Sequence, residues 1–165
     1  MSSGSGPARP PNCPIGTATT PSPDSEIRST KFDIRNLLSN KRRLLADRGL
    51  LGRWGEKRCE RFLKRKGLKT LARNFRCKTG EIDRVMVDTD GTLVFVEVKT
   101  RANEDFGPSE SAVTSAKKIR MFRAARYFLT TNTIEDRPYR FDVVTIVLSE
   151  KGPAQIRHYE RAFVP

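Results

Sequence analysis

Residues 80–99 read Gly80-Glu81-Ile82-Asp83-Arg84-Val85-Met86-Val87-Asp88-Thr89-Asp90-Gly91-Thr92-Leu93-Val94-Phe95-Val96-Glu97-Val98-Lys99. The apolar run Leu93-Val94-Phe95-Val96 ends in Glu97-Val98-Lys99. Residues two apart on a strand share a face, so Glu97 and Lys99 point the same way. A run this apolar predicts burial, and buried charges are costly unless paired or bound to a metal. A divalent-metal site acting on a phosphodiester would account for charged groups at the end of such a strand.

The segment between the two halves sharpens that expectation. Val87 to Thr92 reads as a hairpin turn, with Gly91 available for a positive φ. A three-residue loop, Thr89-Asp90-Gly91, closed by Asp88 and Thr92, fits a type I turn followed by a bulge. That register sets Val87 against Leu93, Val85 against Phe95 and Asp83 across from Glu97. A two-residue Asp90-Gly91 loop would shift the pairing by one and send Asp83 to the other face. In the first register Asp83, Glu97 and Lys99 gather on one face. Like charges directly opposite each other are destabilising, so the two carboxylates must share either a proton or a cation. The competing reading is a Lys99 ion pair on a solvated face, and the apolarity of the run argues against it.

The chain has 165 residues, 32 of them Lys or Arg against 19 Asp or Glu, for a net charge of +13. From Lys41 to Arg76 fourteen basic residues face only Asp47, Glu56 and Glu60. Concentrated positive charge suits a polyphosphate backbone, with steeply salt-dependent binding. No stretch is long and apolar enough to span a bilayer, so no membrane partner is expected. The three cysteines, Cys13, Cys59 and Cys77, are odd in number and lack zinc-like spacing, which fits reduced thiols in the cytoplasm. Cys59 reads as a core filler on a helix. His158 is the single histidine and is assigned an ordinary strand or surface role.

Residues 1–30 are rich in Pro, Ser and Thr, with six of the ten prolines between Pro7 and Pro23, and read as a disordered tail. Residues 31–50 form a helical lead-in, broken near Asp47-Arg48-Gly49, and residues 51–165 form the main domain. A helix is predicted from Leu51 to Lys66, stopped by Gly67. Its apolar stripe is Leu51, Gly55, Cys59, Phe62 and Leu63, with Glu56 at the border. An edge strand follows over Lys69 to Arg76, then the hairpin. A loop over Ala102 to Pro108 leads to a second helix, Ser111 to Thr130. There Met121, Phe122, Ala125, Phe128 and Leu129 form one arc, and Lys117, Arg120, Arg123 and Tyr127 the other. Tyr139 to Leu148 reads as a central strand, and Gln155 to Tyr159 as a short polar edge. Asp142 is assigned a structural pairing with a nearby cation. The order αβββαβ plus a C-terminal edge strand predicts an α/β fold, a mixed sheet flanked by helices.

Four segments carry a family resemblance: Gly80-Glu81-Ile82-Asp83, Phe95-Val96-Glu97-Val98-Lys99, Gly52-Arg53-Trp54-Gly55-Glu56 and Arg140-Phe141-Asp142-Val143. Together they resemble the YraN-like uncharacterised family, UPF0102, over Leu51 to Pro165. That family is similar to the PD-(D/E)XK nucleases, which include restriction endonucleases and archaeal Holliday junction resolvases. The proline that precedes the aspartate in the motif is Ile82 here. The resemblance implies a restriction-endonuclease-like core, with Asp83 and Glu97 as metal ligands and Lys99 as the catalytic lysine. It also implies that Glu56 completes the site, directly or through water.

Mg²⁺, or Mn²⁺, suits such a site because it takes hard oxygen ligands and keeps several waters; the Val98 carbonyl would add an oxygen. Lys99, held charged by its acidic neighbours, is assigned to orienting the attacking water and stabilising phosphorane charge. Arg61, Lys64, Lys117, Arg120 and Arg123 are the candidate nucleic-acid contacts. The expectation is a metal-dependent endonuclease for structured or branched nucleic acid, DNA ahead of RNA. A homodimer would suit cleavage of both strands of a junction. The alternative is a nucleic-acid-binding protein of this fold that does not cleave on its own.

Overall fold

A computed structural model describes residues 34–102, 113–134 and 136–164. The Pro/Ser/Thr-rich tail, Cys13 and the Gly107-Pro108 turn lie outside these residues. The elements are α1 (Ile34–Ala46), α2 (Arg48–Arg65), β1 (Lys69–Cys77), β2 (Gly80–Val87), β3 (Leu93–Arg101), α3 (Ser115–Thr131), β4 (Tyr139–Val147) and β5 (Gln155–Phe163). The five strands form one sheet in sequence order. All neighbours are antiparallel except β3 and β4, which run parallel and are joined through α3. This is the expected mixed α/β sheet flanked by helices.

Alternation along β3 separates two cores. Val94 and Val96 pack with Met86, Val144 and Ile146 against Cys59 and Leu63 of α2. Leu93 and Phe95 pack with Val85 and Phe141 against Met121, Ala125 and Phe128 of α3. The two helices thus cover opposite faces of the sheet, which explains why β3 and β4 are apolar on both sides.

The helix ends follow local chemistry. α1 and α2 are separated by one residue, Asp47, whose carboxylate accepts from the amides of Gly49 and Leu50 at 2.8 and 3.0 Å. This cap starts α2 three residues before the expected Leu51, with Gly49 inside the helix. At the other end Gly67 takes φ 98°, and the amides of Gly67 and Leu68 return to the carbonyls of Lys64 and Leu63. These two bonds form a Schellman closure that needs the left-handed residue. α3 begins at Ser115, later than the expected Ser111, because Thr114 is the cap: its hydroxyl accepts from the Lys117 amide at 3.3 Å. β5 continues four residues beyond the expected Tyr159.

Asp142 and His158 are structural, as expected, but they are more buried than a surface role implies. Asp142 is fully buried; it accepts from Arg140, from the Arg161 amide at 3.0 Å, and lies 2.9 Å from His158 Nε2. These contacts fill an irregularity between β4 and β5, where the register shifts between Phe141 and Val143 and Arg161 takes φ 51°. A bulge exposes unpaired backbone donors, and the carboxylate satisfies one of them.

Candidate metal centre

The hairpin sets the geometry of the site. The Asp88 amide donates to the Thr92 carbonyl at 2.9 Å and Gly91 takes φ 87°, closing the loop around Thr89-Asp90-Gly91. Val87 then faces Leu93 and Val85 faces Phe95, the first of the two registers considered. The paired residues run as far as Arg84 and Val96. Beyond them the Asp83 carboxylate takes over from the backbone, accepting the Val98 amide at 2.8 Å. Ile82 and Val85, three residues apart, both pack on the α3 side, so strict alternation breaks at Asp83. The site lies where β2 and β3 separate, toward the C-terminal end of β3, the end at which open α/β sheets bind ligands.

Glu97 is 2% exposed and is approached by two ammonium groups. Lys99 Nζ is 2.7 Å from Oε1 and Lys117 Nζ is 3.2 Å from Oε2. Oε2 nevertheless accepts no hydrogen bond: Lys117 is close enough to offset its charge but does not point a proton at it. Lys117 also lies 3.2 Å from Glu81 Oε1. Burial by itself would lower the Lys117 pKa, but Glu97, Glu81 and Asp83 together hold it above its ordinary value. Burial, and then the neighbouring Glu97 charge, push the Asp83 carboxyl up to about 6.

Glu56 reaches the same region from α2. Gly55 presses the helix onto β3: a Cβ there would stand 1.8 Å from Thr100 Oγ1, beside Lys99. The Glu56 carboxylate accepts from Arg84 Nη1 at 3.1 Å, and its charge is near enough to contribute to the raised Asp83 pKa. Val98 enters the site through its amide, which donates to Asp83.

Sequence reasoning passed over the residue that organises this flank. Arg84 is 3% exposed and holds Glu56, Glu60, Asn74 and the carbonyl of Asp83, the last at 2.5 Å. Glu60, 8% exposed, binds Arg84, Arg73, Lys64 and Thr70. The signal was present: an arginine inside the apolar run of β2 must find an acid. Glu56 and Glu60 stand one helical turn apart to supply two.

The candidate nucleic-acid residues divide between layers. Lys117 is in the site, and Arg120 and Arg123 follow it as exposed residues of α3. Arg61 and Lys64 are exposed on α2, across the sheet, where Lys64 is tied to Glu60 at 3.0 Å.

Among the described residues no three His, Cys, Asp or Glu side chains form a ready cation cage. The donor set still fits a hard divalent ion. Asp83 and Glu97 offer only oxygens, and Glu97 Oε2 is met by the Lys117 ammonium at 3.2 Å. Mg²⁺ retains water for most of its coordination, so one or two carboxylates suffice.

A pH dependence follows from Asp83. Its folded pKa of about 6 lies above the ordinary 3.8. Between those values the native state keeps a proton that the unfolded chain has lost. The contribution to stability is therefore complete below 3.8 and disappears as pH rises through 6. In EDTA, wild type should lose on the order of 2–3 kcal/mol across that window relative to Asp83→Asn, read by thermal unfolding against pH. Parallel curves would show that Asp83 does not carry the shift.

Residues 55–146 match the model of an uncharacterised protein family, UPF0102. A UPF0102 protein of Pelobacter propionicus is 42% identical over 113 residues, covering 68% of this chain and 81% of the relative. One from Pelotomaculum thermopropionicum is 38% identical over 117 residues, 70% of this chain and 97% of the relative. One from Geotalea uraniireducens is 42% identical over 119 residues, with 72% and 92% covered. The matched segment contains Glu56, Asp83, Glu97, Lys99 and Lys117.

Proposed function

The chain belongs to the uncharacterised protein family UPF0102, and from the geometry of its residues we propose that it is a divalent-metal-dependent endonuclease. The observation that carries this reading is the buried Glu97 carboxylate beside the half-buried Asp83, whose pKa the Glu97 charge helps to raise. A protein that only binds phosphates gains nothing from carboxylates that repel them.

Asp83, Glu97 and, from the flank, Glu56 would hold Mg²⁺ or Mn²⁺. Bound there, the ion supplies Lewis-acid polarisation of a phosphodiester and a water acidic enough to attack it. Lys99, anchored 2.7 Å from Glu97, orients the attacking water and offsets charge gathering on the phosphoryl oxygens. Lys117, 3.2 Å from both Glu81 and Glu97, would offset the charge of an incoming phosphate. Arg120 and Arg123 track the backbone without reading bases. The substrate is structured or branched nucleic acid, DNA before RNA, and a homodimer would cut both strands of a junction. Among the described residues no helix is long and apolar enough to cross a membrane. The free thiols of Cys59 and Cys77 support a cytoplasmic location.

One observation favours a second reading, binding without cleavage: Lys99 and Lys117 both pair with Glu97 and offset its charge. Purified protein offered branched, duplex and single-stranded DNA and RNA, with Mg²⁺, Mn²⁺ or EDTA, separates the two. Metal-dependent cleavage that EDTA suppresses is expected. Salt-sensitive binding with no cleavage under any metal selects the second reading.

A further inference from the structure

We propose that the cavity between the β1–β2 turn and α3 is a phosphate subsite, which grips the substrate strand beside the bond held at Asp83 and Glu97. The proposal rests on the nuclease reading and extends it to residues outside the metal centre. The cavity has a volume of about 380 Å³. Arg76, Lys78, Lys117 and Arg120 line it, against a single carboxylate, Glu81. That carboxylate is already engaged, 3.2 Å from Lys117 and 3.5 Å from Arg76. Lys78 and Arg120 are exposed and make no hydrogen bond or ion pair among the described residues. A concave surface with this excess of cations repels itself until an anion enters.

Two features make the cavity part of the fold rather than a chance cluster of surface lysines and arginines. Gly80 lies so close to α3 that a Cβ would stand 2.3 Å from the Arg120 carbonyl oxygen. The turn therefore packs directly on helix backbone, and both walls are held in place. Lys117 is shared between the cavity and the metal centre, 3.2 Å from Glu81 and 3.2 Å from Glu97. The subsite thus begins two short contacts from the site carboxylate. A strand advances about 3.4 Å per nucleotide, so a neighbouring phosphate of the same strand is within reach.

The test is the double variant Arg76→Ala/Lys78→Ala, in which both side chains are exposed and thermal stability should be unchanged. Affinity for a labelled branched DNA is measured in EDTA across a salt series. The slope of log K against log salt should fall by about 1, with a uniform loss of affinity across sequences, and Lys78→Arg in the Arg76 background should restore part of it. An unchanged slope with metal-dependent cleavage intact overturns the subsite and leaves the nuclease reading standing. A reduced slope in a protein that never cleaves keeps the subsite and removes the nuclease reading. Inorganic phosphate, added at constant ionic strength, should displace DNA no better than chloride. Displacement at millimolar phosphate from wild type but not from the double variant assigns the cavity to free phosphate and overturns the strand assignment.

Discussion

Asp83→Asn and Glu97→Gln should each reduce metal-dependent cleavage by at least roughly 10³-fold, because each removes transition-state stabilisation of several kcal/mol. Nucleic-acid binding in EDTA should be unchanged or tighter, since removing a carboxylate removes its repulsion of the phosphate. Lys99→Ala should lose rate with little loss of metal affinity, because an ammonium does not ligate a cation. Thermal stability with and without Mg²⁺ separates chemistry from folding. Metal should stabilise wild type by an amount that grows with the logarithm of its concentration above Kd, and Asp83→Asn far less. If wild type shows neither cleavage nor metal-linked stabilisation, binding alone is its activity. Retained cleavage in Asp83→Asn would place the metal elsewhere.

The largest effect on folding is expected at Glu60. Its carboxylate is 8% exposed, and the Arg73 hydrogen bond above all holds its pKa well below the usual carboxylate range, against the cost of burial. Glu60→Ala leaves Arg84 buried with Glu56 as its one remaining acidic partner. Breaking a buried pair from one side costs about 3–5 kcal/mol, measured as a shift in the urea midpoint at neutral pH. Arg84→Met should cost less, because Glu60 keeps Arg73 and Lys64, both at the surface. It should nevertheless weaken metal-linked stabilisation, since Arg84 also holds the Asp83 carbonyl and Glu56. The sign with pH is opposite to that of Asp83. The Glu60 contribution is present above its ordinary pKa of 4.5 and is lost as pH falls below it. Equal costs for the two variants would mean that Glu60 and Arg84 depend on each other alone.

Local chemistry made much of the fold legible. The apolar run of β3, the three-residue loop ending in Gly91 and the left-handed Gly67 are each short-range. The alternation and turn type that place them are complete within a few residues, and together they settle the hairpin register. Because register fixes the side-chain faces, Glu97 and Lys99 could be grouped before any tertiary contact was known, whereas Asp83 joins them beyond the paired residues, through the Val98 amide. Element ends were less legible where a cap set the boundary, as Thr114 does for α3, which starts at Ser115. Similarly, β5 outran its polar pattern because the bulge at Arg161 is held by Asp142, a residue of another strand.

The sequence alone therefore determined the mixed α/β order and the hairpin, both consequences of backbone periodicity and turn chemistry, and marked Asp83 and Glu97 as candidate carboxylates. Only the tertiary structure decided which cations meet those carboxylates. Lys117 reaches Glu97 because α3 crosses back over the sheet between parallel strands, and Glu56 is engaged by Arg84 because Gly55 lets α2 settle on Thr100. Charges interact through space, with strengths set by distance and burial, and neither quantity is encoded in the spacing of residues along the chain.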